Sequence, residues 1–310
     1  MPGPMRFRTL VFVTAAALLA VLMVAHDRIP DTLGSGVAID TAAPWLILLV
    51  PLLAALALMC RSRAGAAACV APMLVWAYTF GSWWAPTAAA AAPGAGSVTV
   101  VSQNLFADNP SPTATARALA ATGSDLIAVQ ELGGTDRPPV QRILDAAYPY
   151  REERGTVALW SRYPTSDTTT ADVGVGWQRG LRTHVATPYG DLVVYVVHLP
   201  SVRPFDTATR NAGLRILSRR LTADRAPHVL VAGDFNTAST DRHWRGFASG
   251  YTDAEPHTGG GPGFTWPAAF PLARLDHILQ RGLALDAFSV LHLPGPDHRA
   301  PTATVSFPRR

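Results

Sequence analysis

The chain has 310 residues, enough for one large domain or two of medium size, and its formal net charge is +4 at pH 7. No Lys is present, and residues 97–310 hold 21 Arg against 19 acidic residues, a balance that does not favour a protein that neutralises many nucleic-acid phosphates. The two Cys residues, Cys60 and Cys69, lie in the apolar N-terminal third, which excludes a disulfide framework, a Cys-based zinc site and a Cys nucleophile from residues 97–310.

Three apolar stretches in the first 84 residues predict membrane-spanning helices. Residues 9–25, 42–60 and 64–84 each approach the length of about 20 residues that crosses a hydrocarbon core of about 30 Å. A cleaved signal peptide is an alternative for the first stretch, and buried helices of a soluble protein are an alternative for all three. Because two further stretches follow the first, its removal would still leave an apolar anchor. We therefore predict a membrane anchor with three transmembrane helices over residues 1–84.

The distribution of Arg predicts the orientation of this anchor. Two pairs of Arg lie before the first stretch and between the second and third: Arg6, Arg8, Arg61 and Arg63. Basic residues in short loops favour the cytoplasmic side of a membrane. With three spans, the chain after residue 84 then lies outside the cytoplasmic membrane. There, residues 85–96 are predicted to form an Ala/Pro/Gly linker to a domain over residues 97–310.

Residues 97–310 alternate between apolar runs typical of strands and longer runs typical of helices. Strands are predicted at 97–101, 125–130, 156–160, 182–187, 191–197, 228–232, 275–279 and near Val290. Helices are predicted from a cap at Ser111, with Pro112 in the first turn, to Gly123, over 138–147, and from a cap at Asp206 to Leu221. The turn at 188–190 joins two strands into a hairpin, so the pattern indicates an α/β domain with a mixed sheet.

Nearly every predicted strand leads into a side chain that can bind a metal ion or transfer a proton. These side chains are Asn104, Glu131, His198, Asp234, Asn236, Asp276, Asp297 and His298. Ligand-binding residues gather at strand ends in α/β sheets, because the loops vary there while the scaffold stays rigid. We therefore expect one shared site. Single residues also have structural alternatives, such as a turn after a strand for Asp234 and Asn236.

The chemistry of this set matches the requirements of phosphoryl transfer. Oxygen ligands from Glu131, Asn104 and Asp297, without sulfur, suit Mg²⁺ or Mn²⁺. Asp234 is a candidate base for an attacking water, and the two histidines are candidate donors to phosphate oxygens. A cation, a positioned nucleophile and donors for the developing charge are the parts that phosphoryl transfer needs.

Six short motifs make the pattern specific. They are Q-N-L at Asn104, V-Q-E-L at Glu131, V-V-H-L at His198, V-A-G-D-F-N at 231–236, R-L-D-H-I-L at Asp276 and P-D-H-R at 296–299. In type and order they resemble the endonuclease/exonuclease/phosphatase superfamily, which includes DNase I and sphingomyelinases. The resemblance covers nearly all of residues 97–310. It implies a four-layer α/β sandwich of two mixed β-sheets flanked by helices, here preceded by three transmembrane helices.

The resemblance also implies a role for each acidic and amide residue. Carried over by matching motif, Glu131 is the principal metal ligand, and Asn104 and Asp297 assist it. Asp234 is the general base that activates water. Asn236 holds the phosphoryl group.

The histidines are assigned in the same way. His298, paired with Asp276, and His198 would stabilise charge or protonate the departing oxygen. Relatives often have a further Tyr or Arg between the second and third motifs. Arg179 and Arg182 are both candidates for that position, and the sequence does not choose between them.

The combination of a three-span anchor and an exported domain resembles the membrane-bound VanJ-like group linked to teicoplanin resistance. That resemblance implies hydrolysis of a phosphoester or pyrophosphate of a lipid-linked substrate, such as an undecaprenyl cell-wall carrier. The expected partner is a membrane lipid rather than nucleic acid. Two alternatives stay open: an exported metal-dependent nuclease, and a non-catalytic domain that binds a cell-wall ligand.

Overall fold

The structure, a computed structural model, describes residues 4–84, 96–203, 205–247, 249–254 and 261–308. The predicted linker at 85–96 therefore lies outside the described residues, apart from Gly96. The chain divides into two compact units. The first contains residues 1–85 and 240–242, and the second contains residues 86–239 and 243–310.

The first unit consists of apolar helices. Three helical segments are long and apolar enough to cross a membrane, Arg6–Arg28, Thr32–Met59 and Arg63–Trp84, as predicted. The second segment changes from α to 3-10 geometry at Ala43–Leu48, where Pro44 interrupts the backbone hydrogen bonding of an α-helix. The α-helices of this unit are α1 (Pro4–Ala25), α2 (Ser35–Ala42), α3 (Leu49–Met59), α4 (Arg63–Ala68) and α5 (Val70–Phe80).

A buried charge cluster connects distant parts of the sequence within the first unit. The carboxylate of Asp40 is fully buried, and it lies 2.8 Å from His26 Nδ1 and 2.6 Å from Arg242 Nε. Arg242 also donates to the carbonyl oxygens of His26 and Ile29. Because a buried carboxylate is costly without partners, these contacts fix the segment 240–242 in this unit.

The second unit is an α/β domain with twelve strands and four helices among its described residues. The helices are α6 (Pro112–Ala121), α7 (Arg137–Ala147), α8 (Ala208–Ala223) and α9 (Trp244–Phe247). The strands are β1 (Ser97–Asn104), β2 (Leu126–Gln130), β3 (Tyr150–Arg154), β4 (Val157–Ser161), β5 (Thr165–Thr170), β6 (Gly180–Thr187), β7 (Gly190–His198), β8 (Val229–Asp234), β9 (Thr252–Asp253), β10 (Asp276–Arg281), β11 (Ala284–Leu291) and β12 (Ala300–Ser306).

The strands form two six-stranded mixed sheets. Their orders are β11-β12-β1-β2-β4-β3 and β5-β6-β7-β8-β10-β9. The pairs β1–β2 and β7–β8 are parallel and the remaining pairs are antiparallel, including the predicted hairpin of β6 and β7. Parallel neighbours need a crossover, and α6 and α8 supply these two connections.

Apolar side chains join the layers. Leu126 and Leu230 belong to one core cluster that contains residues of both sheets. On the outer faces, α6 and α7 cover the first sheet around Trp160, and α8 and α9 cover the second around Phe235. Burial of each such large side chain stabilises the fold by roughly 1.5–3 kcal/mol. The four-layer sandwich of two mixed sheets flanked by helices is thus confirmed.

One local prediction is confirmed only in part, because Ser111 occupies the N-cap position of α6 without capping it. Pro112 does occupy the first turn of α6, but the Ser111 side chain makes no capping hydrogen bond. Asn109 instead accepts the backbone N–H of Ser111 at 2.8 Å and draws the loop into an Asx turn before the helix begins. The N-cap position of α8 is Thr207, one residue after the predicted Asp206, although the Asp206 carboxylate accepts the backbone N–H of Thr209 at 3.2 Å.

Candidate active site

Strand register places three of the predicted residues side by side. His198 ends β7 and pairs with Asp234, the last residue of the parallel strand β8. Asp234 also pairs with Asp276, the first residue of the antiparallel strand β10. Adjacent strands lie about 4.8 Å apart, so the three side chains form one row at the edge of the second sheet.

Asn104 links this row to the first sheet. It ends β1, and its side-chain amide donates to Glu131 Oε1 at 3.1 Å and to Asp234 Oδ2 at 3.0 Å. Its amide oxygen accepts the backbone N–H of Phe106 at 3.0 Å. The ends of both sheets therefore meet at a single cluster, as the positions of the motifs predict.

Glu131 lies at a strained point of the backbone. It follows β2 with φ of 58°, and Phe106 opposite has φ of 65°, a region that residues other than Gly rarely adopt. The Glu131 carboxylate accepts the backbone N–H of Ala107 at 2.8 Å. Its side chain stays 26 % exposed, so part of the carboxylate remains open to solvent. Strain of this kind commonly accompanies functional sites.

The loop after β8 is held from several directions. The carboxylate of Asp234 accepts the backbone N–H of Asn236 at 2.8 Å, which is the Asx turn considered in the sequence. Asn236 donates its side-chain amide to the carbonyl of Leu199 at 2.9 Å. Behind the loop, the buried Arg210 lies 2.9 Å from Thr237 Oγ1. The turn and the chemical role are therefore compatible, because the same carboxylate also contacts Asn104.

Burial controls the protonation of the central carboxylate. Asp234 is 1 % exposed. Loss of water around it, together with the nearby carboxylate of Asp276, raises the pKa of Asp234 to about 7. A carboxylate with this pKa can accept a proton near neutral pH, which suits a general base.

His298 carries a positive charge, opposite to that of the carboxylates beside it. Its Nδ1 lies 2.8 Å from Asp276 Oδ2. Burial alone would lower the pKa of His298, but the carboxylates of Asp276 and Asp234 outweigh burial and raise the pKa to about 10. The imidazole is therefore a cation at neutral pH and can donate to an anionic oxygen.

His198 differs from His298, although both are buried. Burial first, and then the positive charges of Arg179 and His298, hold the pKa of His198 well below its usual value of 6.5. Arg179 Nη2 lies 2.7 Å from Nδ1 of this neutral ring. His198 Nε2 lies 3.6 Å from the carboxylates of both Glu131 and Asp234.

The structure distinguishes between the two candidate arginines. Arg179 lies in the cluster beside His198, and its guanidinium stacks on the Trp177 ring at 4.7 Å. Arg182 lies elsewhere, with its Nε 2.8 Å from the carboxylate of Asp224. The sequence did not distinguish the two arginines, because they are only three residues apart. The start of β6, which lies between them, decides which one faces the cleft.

The charges of the cluster fit a bound cation. Burial and the negative charge of Glu131 raise the pKa of Asp297, so these predicted metal ligands repel each other. Oδ1 of the fully buried Asp276 has no hydrogen-bond partner among the described residues. A divalent cation held by Glu131 and Asp297 would relieve their repulsion, whereas the Asp276 oxygen would need a cation beside Asp234 and His298.

Two sets of residues are candidates for holding that cation. The motifs predict Glu131, Asn104 and Asp297. A second set, Asp234, Asp276 and His298, has ligand atoms that all lie within 4.8 Å of one another. We favour the first set, because Asp276 and His298 of the second set already pair with each other, with Nδ1 of His298 2.8 Å from the Asp276 carboxylate.

Two aromatic residues of the cleft had no signal in the sequence. The side chain of Trp266 donates to Asp297, and Trp177 lies under Arg179. Both are substantially exposed, at 40 % and 54 %.

Comparison with known proteins identifies a protein family that the sequence of this domain matches. Residues 101–306 match the sequence profile of the Endonuclease/Exonuclease/phosphatase family. A comparison with the sequences of curated proteins gave no match.

Solved structures share the fold. A truncated TDP2 from Caenorhabditis elegans is similar over 68 % of this chain and 97 % of its own, with 20 % identity and a TM-score of 0.57. A beta toxin from Staphylococcus aureus is similar over 66 % of this chain and 99 % of its own, with 14 % identity and a TM-score of 0.52. Sphingomyelinase C from Streptomyces griseocarneus covers 67 % and 99 %, with 16 % identity and a TM-score of 0.50.

Proposed function

The chain belongs to the endonuclease/exonuclease/phosphatase family, and from this premise we propose that it hydrolyses a phosphoester or pyrophosphate of a lipid-linked substrate at the outer face of the cytoplasmic membrane. That the protein is a phosphoric ester hydrolase follows from the family and its structural neighbours. The observation that carries the proposal is the convergence of Glu131, Asp234 and His298 in one cleft.

The protonation states support a role for each group in the proposed reaction. Asp234, with its pKa near 7, takes a proton from the attacking water, and Asn236 beside it holds a phosphoryl oxygen. His298, kept cationic by Asp276, donates to the departing oxygen. Donors placed where negative charge develops stabilise the transition state more than the ground state.

We assign the divalent cation to Glu131, with Asn104 and Asp297 completing the set. Oxygen ligands without sulfur favour Mg²⁺ or Mn²⁺. When bound, the cation supplies charge neutralisation at the phosphoryl oxygens. His198, held neutral beside Arg179, lines the same cleft and donates a hydrogen bond rather than a full charge.

Exposed apolar side chains beside the polar cleft support a lipid-linked substrate. Trp177 and Trp266 each contact a residue of the cleft, as described above. Phe270 is 69 % exposed in a loop that backbone hydrogen bonds between Trp266 and Ala273 close. Clustered apolar surface at a site indicates a ligand or membrane that covers it. A phosphate with a prenyl or acyl chain would match both parts of this surface.

The three apolar helices supply the membrane context. With Arg6, Arg8, Arg61 and Arg63 on the cytoplasmic side, the catalytic domain is exported. This arrangement supports placing the chain in the VanJ-like group and proposing an undecaprenyl cell-wall carrier as substrate, with a link to glycopeptide resistance.

The proposal is tested by assaying the purified full-length chain in detergent against three substrates. Polyprenyl pyrophosphate, phospholipid and plasmid DNA are incubated with Mg²⁺, with Mn²⁺ or with a chelator. We expect phosphate release from the polyprenyl substrate, loss of turnover on chelation, and no cleavage of DNA. Preferential cleavage of DNA would establish the nuclease alternative instead.

Two substitutions test the assignment of the site. Glu131→Ala and Asp234→Ala are each expected to lower turnover by a factor of about 100 or more, because both remove groups that act in the transition state. The matched control is Asp191→Ala, which removes an exposed carboxylate near the other end of the strand that carries His198. Unchanged turnover in either active-site variant refutes the assignment. If the proposed contribution to glycopeptide resistance also persists in these variants, a binding function follows.

A further inference from the structure

A second cavity lies on the outer face of the catalytic domain. It has a volume of about 320 Å³ and is formed by α8 and α9. Its lining residues are Asn211, Leu214, Arg215, Ser218, Arg219, His243, Gly246 and Phe247. None of them belongs to the catalytic cleft, and all lie in the second unit.

Two arginines at this cavity lack protein partners. Arg215 and Arg219 are four residues apart, so they project from the same face of α8. Both are exposed, and neither makes an ion pair or hydrogen bond within the described residues. The helix contains no acidic residue, so its charge is unbalanced. Such a fork of guanidinium groups fits a phosphate, to which each can donate two hydrogen bonds.

A hydroxyl group adds a second polar contact at the cavity. The hydroxyl group of Ser218 lines the same cavity and can bind either a phosphate oxygen or a hydroxyl.

The remaining part of the cavity is apolar. Leu214 and Phe247 are 2 % and 5 % exposed and line it beside the charged rim. An inorganic anion gains nothing from such a surface, whereas the glycerol backbone and the first acyl carbons of a lipid do. A ligand that matches the charged, hydroxyl-binding and apolar parts of the cavity is an amphiphile.

We infer that this cavity binds the head group of an anionic glycerophospholipid, with its phosphate on Arg215 and Arg219 and a head-group hydroxyl on Ser218. The inference uses the membrane location given by the three apolar helices and does not depend on the reaction at the catalytic cleft. The segment between the last apolar helix and β1 has only twelve residues, 85–96, so the domain remains within reach of the lipid surface. Bound lipid would fix the domain against the membrane.

The test measures binding of short-chain lipids to the full-length chain in a neutral detergent. Dihexanoyl phosphatidylglycerol, dihexanoyl phosphatidylcholine and inorganic phosphate are titrated by calorimetry. We expect the anionic lipid to bind at least tenfold more tightly than either of the others. The double variant Arg215→Gln/Arg219→Gln is expected to weaken this binding at least tenfold.

The matched control is Arg220→Gln/Arg225→Gln, which removes the same charge outside the cavity and should change the affinity by less than about twofold. Equal weakening in both double variants would overturn the site, because the effect would then be one of net charge. Equal affinity for inorganic phosphate and lipid would overturn the lipid assignment. Turnover of a soluble phosphodiester is measured in parallel, so a failed catalytic proposal is distinguished from a failed binding proposal.

Discussion

His198 and His298 lie in one cluster, yet only one of them is charged at neutral pH. His298 has Asp276 at 2.8 Å, and its pKa rises to about 10. His198 is buried and faces the guanidinium of Arg179, and its pKa falls well below 6.5. Burial and the guanidinium of Arg179 therefore keep one imidazole neutral, whereas the carboxylates of Asp276 and Asp234 keep the other charged.

Arg179→Gln tests this relation directly. Removal of the positive charge is expected to raise the pKa of His198 towards its ordinary value and to lower turnover by a factor of about 10–100, a loss of about 1.4–2.8 kcal/mol of transition-state stabilisation. NMR titration of the chain labelled at its histidine rings measures the first effect. Arg179→Lys serves as control, because it keeps the charge and should keep the pKa low. An unaltered pKa in Arg179→Gln would show that burial alone holds the ring neutral.

The motifs identified nearly every polar side chain of the cleft, because each one follows an apolar strand whose end could be read from the sequence. The roles of these residues stay predictions until the variants are measured. Trp177 and Trp266 could not be assigned, because a lone aromatic residue in a loop has no pattern that distinguishes core from cleft. Only the fold shows that both are exposed and contact cleft residues.

At the scale of elements, Asp224 connects α8 to the second sheet. Its carboxylate accepts hydrogen bonds from Arg182 Nε at 2.8 Å, Tyr195 Oη at 2.6 Å and the backbone of Ala226 at 2.9 Å. Burial works against the ionised form, but these donors outweigh it and lower the pKa of Asp224 to about 2. The end of α8 is thus fixed to β6 and β7.

The pH dependence of stability follows from the sign of this shift. Because the pKa is lower in the folded state, the contribution is fully present above the ordinary value of 3.8 and is lost as pH falls towards 2. Asp224→Asn is therefore expected to lower the free energy of unfolding by about 2 kcal/mol at pH 7. Thermal unfolding of the full-length chain in detergent measures this difference, with Asp191→Asn as the exposed control. A difference that persists unchanged near pH 2 would contradict the account.

The sequence predicted buried elements better than exposed ones. The runs DLVVYVV and HVLVA are continuous and apolar, and they became the central strands β7 and β8. The strands β3 and β5 were missed, because their sequences, YREER and TSDTTT, are polar and none of their residues is buried. These edge strands form through pairing with their neighbours rather than through an apolar face of their own.

At the scale of the molecule, the proposed orientation can be measured, because residues 97–310 contain no Cys. In a Cys60→Ser/Cys69→Ser background, a cysteine introduced at the exposed Thr222 is expected to react with a membrane-impermeant maleimide in intact cells. A cysteine introduced at Ala64 should react only after permeabilisation. The reverse pattern would place the catalytic domain inside the cell.

The architecture of the domain was predicted through the family resemblance that the six motifs carry, whereas the pattern of strands and helices alone indicated only an α/β domain with a mixed sheet. The cavity on α8 was not predicted. The numbers of basic and acidic residues in the domain are nearly equal, and its arginines are part of that count. A count does not show where in the domain the charges lie. The unpaired cluster becomes visible only when the helix has a defined outer face.

The row formed by His198, Asp234 and Asp276 has a consequence for how this scaffold can diversify. Backbone ladders set the spacing of the three residues, whereas the aromatic residues around the cleft come from separate loops. Grafting those loops from a relative should therefore transfer substrate preference while the hydrolytic chemistry persists. Conversely, a one-residue shift in the register of β8 would turn Asp234 to the opposite face of the sheet, and every such chimaera would lose hydrolytic activity.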